Sequence, residues 1–166
     1  MVTTVDSSSL AAAALRASEA GNYNAAVVLY RRALVSASAA ARPTLLFNLA
    51  TMLRITGDLA GAERCLDEAL ELRPDDAEAW LLRSGLRRWS LGADAGANGG
   101  DNHLSELRAA LARATGSKAR VQLGFALAKE LEDCAVGADD ASLLAESFAV
   151  LRTACALRRQ HIQYNI

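Results

Sequence analysis

One order of residue types occurs twice in this 166-residue chain and limits what it can fold into. From Gly57 to Pro74 the sequence reads as a glycine turn, one amphipathic helix and a proline stop. Thirty-six residues earlier, Gly21 to Leu34 presents the same turn and helix. Extended backwards, the second copy gains another helix, with Leu45, Leu46, Leu49, Ala50 and Leu53 available to one face at the spacings of a buried helical stripe. The unit is therefore helix, short turn, helix. Such a unit cannot bury its apolar face alone and must stack on its neighbours.

Residues 43–76 carry Leu46, Leu49, Ala50, Leu53, Gly57, Ala62, Leu66, Ala69 and Pro74. Residues 7–40 carry Leu10, Ala14, Gly21, Tyr23, Ala26, Tyr30 and Ala33. This order of large, small, glycine, small and proline positions resembles the tetratricopeptide repeat. The resemblance implies an all-α, right-handed superhelix of about four helical hairpins, or seven to eight helices. Small residues such as Ala26, Ala33, Ala62 and Ala69 fall where two helices approach closely.

Composition agrees with an all-α chain. The 52% hydrophobic content includes much alanine, a strong helix former, and there are only two prolines. Eighteen basic against nineteen acidic residues give no electrostatic reason to bind nucleic acid. Arg16 and Glu19 interrupt the N-terminal alanine run before membrane-spanning length, and the residues before it lack a secretory basic region. A cytoplasmic location without membrane association is expected. Cys65, Cys134 and Cys155 are widely spaced in apolar helical contexts, as suits buried free thiols.

Residues 1–6 read as a disordered lead, 7–160 as one repeat domain (7–40, 43–76, 77–115 and 117–160), and 161–166 as a tail. Pro43 suits the first turn of the third helix. Asp75 or Asp76 caps a fifth helix expected to reach Leu91. The strict repeat frame there would bury Arg83 and Arg87, so a slip of register is expected. Gly92 to Gly100 reads as a flexible linker, Asp101 or Asn102 as the next helix cap, and Ala135 to Asp140 as a second loop.

Leu104 to Ala112, Phe125 to Asp133 and Glu146 to Arg159 resemble the helical segment of bacterial tetratricopeptide-linked sulfotransferases. That resemblance implies the helical part of a split enzyme, without any transferase residue, because the seven residues after Arg159 supply no cofactor-binding set.

No phosphate-loop, zincin, serine-hydrolase or zinc-spaced cysteine motif is present. Neither a catalytic residue nor a cofactor or metal is assigned. His103, near Asp101 and Glu106, reads first as a surface residue at a helix start. A small metal-dependent or acid/base enzyme built on it is the alternative. His161 lies in the tail.

A stack of helical hairpins offers a concave face formed mainly by the first helix of each pair. In the repeat frame that face holds Phe47, Thr51, Arg54, Leu81, Arg88 and Trp89, a set suited to a protein or peptide with acidic segments. The positions with which tetratricopeptide proteins clamp chaperone tails hold Ala11, Leu15, Asn48, Glu78 and Leu82, and only Asn48 matches. The expected function is a non-catalytic interaction or scaffold module, supporting a separately encoded enzyme. The last helix, with Leu144, Phe148, Leu151 and Cys155, has no following repeat to cover it, so a homodimer through this helix is also expected.

Overall fold

The computed structural model describes residues 6–91 and 102–160. Residues 1–5 of the expected lead at 1–6, the linker at 92–100, Asp101, and the tail at 161–166 lie outside the described residues. Eight α-helices occupy the described residues: α1 (Ser7–Glu19), α2 (Tyr23–Val35), α3 (Arg42–Thr56), α4 (Leu59–Leu72), α5 (Ala77–Ser84), α6 (Leu104–Arg113), α7 (Ser117–Ala138) and α8 (Ala141–Gln160). The chain divides into two compact units, Met1–Pro74 and Asp75–Ile166.

In the first unit, α1 packs on α2, α2 on α3 and α3 on α4. The expected small residues sit at these crossings: Ala14, Ala26, Ala33, Ala50 and Ala62 are fully buried, with Tyr30 and Leu66 filling the space beside them. The glycine turns are required by backbone conformation. Gly21 and Gly57 have φ of 74° and 90°, a left-handed region that disfavours other side chains. After α3, the Gly57 N–H donates to the Arg54 carbonyl at 3.3 Å and the Asp58 N–H to the Leu53 carbonyl at 2.9 Å, closing the helix end. Asp58 then starts α4, accepting from the Gly61 N–H at 2.8 Å. A β-carbon on Gly61 would collide with that carboxylate, so the glycine makes room for the cap. Pro43 lies in the first turn of α3, as expected.

In the second unit, α7 is the central element. It packs against α5, α6 and α8. Leu123, Leu127, Leu131 and Cys134 of α7 are almost wholly buried, joined by Leu107 of α6. The crossing of α7 and α8 is close because both helices present small residues. A β-carbon on Gly124 would lie 2.9 Å from Cβ of Ala154. Ser147 on α8 donates to the Ala128 carbonyl at 2.7 Å across the same crossing.

Two expected boundaries are corrected. The fifth helix ends at Ser84 rather than Leu91. The Trp89 indole N–H donates to the Ser84 carbonyl at 2.9 Å, taking an acceptor that a continuing helix would use for its own N–H. The loop expected at Ala135 to Asp140 is also much shorter. The helix continues to Ala138, and the turn rests on Asp139 at φ 52°, a conformation that aspartate tolerates. Asp140 caps α8 by accepting from the N–H groups of Ser142 at 2.8 Å and Leu143 at 3.2 Å.

Candidate functional site

The six residues expected on one face divide between the two units. Phe47, Thr51 and Arg54 lie on α3 of the first, where Arg54 is exposed and the other two are half-buried. The Thr51 hydroxyl donates to the Phe47 carbonyl at 3.0 Å within the helix. In the second unit, Leu81 is on α5, whereas Arg88 and Trp89 follow the helix end. Arg88 is exposed.

Trp89 is not a surface anchor. It is only 2% exposed, and the Arg83 and Arg87 guanidiniums lie 4.4 Å and 4.0 Å from its ring centre. Its backbone N–H donates to Asp133 at 3.1 Å. The helical spacing that placed it on an outer face no longer applies once the helix stops at Ser84. The expected slip at Arg83 is likewise corrected, because Arg83 is 3% exposed and occupies the buried position that the strict frame gives it.

What the sequence did not reveal is how Arg83 is accommodated. Burying a guanidinium requires polar partners. One is His103, whose Nδ1 is 2.8 Å from an Arg83 nitrogen. A guanidinium only donates, so Nδ1 is the acceptor and the neutral ring carries its proton on Nε2. The His103 ring also lies within 6 Å of the Trp80 and Trp89 ring centres, at 5.7 Å and 5.8 Å. Beneath this group, the Glu130 side chain of α7 is fully buried. One carboxylate oxygen accepts from the His103 N–H at 2.9 Å, while the other lacks a hydrogen-bond partner. Loss of water pushes the Glu130 carboxyl up to about 7, against the pull of the His103 N–H and the Arg83 and Lys129 charges. Lys129 ties the connection down further, donating to Asp133 at 2.5 Å and to the Arg87 carbonyl.

His103 is therefore part of a packed polar cluster rather than a plain surface residue. With Nδ1 facing a cation, that nitrogen does not suit a metal ligand. Among the described residues, no three His, Cys, Asp or Glu side chains are grouped to hold a metal ion. Burial raises the Cys65 thiol and pushes Cys134 up to about 11, which disfavours the nucleophilic thiolate in both.

The second unit also contains an open cleft of about 600 Å³ between α5, α7 and α8. Leu81, Val121 and Phe125 supply its apolar lining, and Lys118 and Arg158 bring positive charge to it. The Arg158 guanidinium lies 5.9 Å from the Phe125 ring centre, and Lys118 pairs with Glu78 at 2.6 Å. Leu81 is the one residue of the expected set that lines this cleft. Its other walls were not legible as a site, because Val121 and Phe125 read from sequence as ordinary helix packing.

Residues 43–85, from α3 through the end of α5, match the tetratricopeptide repeat family model. Among curated proteins, none matches the chain. A similar solved structure is the first TPR of Spaghetti (RPAP3) bound to the HSP90 peptide SRMEEVD, at 17% identity and a TM-score of 0.47. The alignment covers 93% of this chain and 99% of that one. No helix among the described residues is long and apolar enough to cross a membrane. Residues 43–85 thus match a tetratricopeptide repeat, within an all-α, tetratricopeptide-like fold.

Proposed function

We propose that the chain is a non-catalytic protein-interaction module whose second unit docks a partner segment in the cleft between α5, α7 and α8. The observation that carries this reading is the cleft itself, an apolar floor of Leu81, Val121 and Phe125 with Lys118 and Arg158 beside it. An apolar side chain flanked by a carboxylate fits that arrangement, since desolvated apolar area supplies affinity and Arg158 selects an acidic neighbour, Lys118 being already paired with Glu78. Phe47, Thr51 and Arg54 form a further proposed contact face on α3, and exposed Arg88 another cationic contact.

The chaperone peptide bound by the first TPR of Spaghetti does not transfer to this chain, because Ala11, Leu15, Glu78 and Leu82 replace four clamp positions. Support of a separately encoded enzyme in the cytoplasm is the proposed setting. The helical part of a split sulfotransferase is the narrower form of that proposal and rests on sequence resemblance alone. We also propose self-association through the outer face of α8. Affinity purification with mass spectrometry tests the main reading. A reproducible partner supports it; no partner, together with turnover by the isolated chain, overturns it.

A further inference from the structure

The outer face of α8 carries more information than exposure alone. Leu144, Phe148 and Leu151 are 39%, 66% and 37% exposed, and Cys155 is half-buried. Their four-three-four spacing forms a straight seam along a helix, of the kind that pairs with another helix. The seam runs beside the contact with α7, which uses Ser147 and Ala154, rather than on it. Val136 of α7, 67% exposed, lines a shallow cleft together with Leu144 and widens the apolar patch.

We infer that this face recognises a second copy of the chain, with two α8 helices pairing antiparallel. The inference rests on the reading of α8 as a self-association surface and adds its register. The seam is self-complementary in that direction. When Phe148 of one copy faces Leu151 of the other, Leu144 faces Cys155, and the symmetry repeats both pairs. The same register brings Asp139 and Asp140, at the start of one helix, to Arg159 at the end of the other. Opposed helix dipoles add to this preference. A parallel pair would instead align acidic with acidic and basic with basic ends. Arg152, beside the seam, is long enough to turn its guanidinium to solvent while its stem covers apolar surface.

Light scattering on the full chain across a dilution series tests the pairing. A dimer that dissociates on dilution is expected. Phe148→Glu should raise its dissociation constant at least ~100-fold, because a buried aromatic is lost from each copy, with helical circular dichroism unchanged. Leu144→Cys, in a Cys65→Ala background, tests the register by mild oxidation. It should form a covalent dimer through Cys155, and that dimer should disappear when Cys155→Ser is added. Residues 144 and 155 of one helix are ~16 Å apart, too far for an internal bond. A monomer at every concentration, or a dimer indifferent to Phe148→Glu, overturns self-recognition by α8. A Phe148-dependent dimer that never links residues 144 and 155 overturns the antiparallel register alone.

Discussion

Replacing Glu130 by glutamine should change the pH dependence of stability more than stability at any one pH. The fully buried carboxyl is pushed from its ordinary 4.5 up to about 7. Between those values the folded chain holds a proton that the unfolded chain has released. Unfolding in this window therefore liberates a proton, and raising the pH favours unfolding. The contribution is fully present below about pH 4.5 and is lost as pH rises through 7. Over about 2.5 pH units the effect is about 3 kcal/mol at most. Arg83, Lys129 and the His103 N–H oppose the rise, Asp133 reinforces it, and the Cys134 thiol at about 11 stays outside the window.

Glutamine cannot ionise, so Glu130→Gln should gain stability relative to the natural chain by about 2–3 kcal/mol between pH 4.5 and 8. Any cost of fitting its amide beside Arg83 is independent of pH and does not alter that slope. Trp80 and Trp89, the chain's two tryptophans, both lie in the second unit against His103. Urea unfolding followed by their fluorescence therefore reports the relevant unit. A variant that instead loses stability steadily as pH rises would show that Glu130 is an ionised partner of Arg83, and would refute the reasoning.

Gly124→Ala should destabilise the second unit, because two β-carbons fixed to neighbouring backbones would lie 2.9 Å apart. Overpacking of ~1–3 kcal/mol is offset by ~1 kcal/mol of better helix propensity, and thermal melting measures the balance. Trp89→Ala should cost ~3–5 kcal/mol in urea unfolding, by emptying the space that Arg83 and Arg87 cover. Arg54→Ala and Arg88→Ala, both at exposed positions, should keep full helicity by circular dichroism and weaken partner binding at low salt. Unchanged affinity in both would remove these arginines from the binding surface.

The first unit was largely legible because each signal there is local. Gly57 marks the turn between the two helices, and the small residues mark the crossings. The second unit was less so. Trp89 fits a helical stripe as well as it fits the folded-back segment that it forms, and only its contact with the Ser84 carbonyl decides between them. Arg83 looked misplaced because its partner His103 lies 20 residues away and Glu130 farther still. The cleft depends on side chains from three helices meeting, which periodicity along one helix does not encode. The apolar spacing of Leu144, Phe148 and Leu151 on α8 was legible along the one helix, and the structure leaves all three exposed.

The central claim is that the cleft between α5, α7 and α8 receives a partner. Its most direct test is affinity capture with the natural chain and with a Leu81→Glu, Arg158→Glu variant, two substitutions at exposed positions of the cleft. Binding of the captured partner is then measured by calorimetry. The account predicts a reproducible partner whose affinity falls at least ~10-fold in the variant, with helicity preserved. Equal binding by both chains would contradict it.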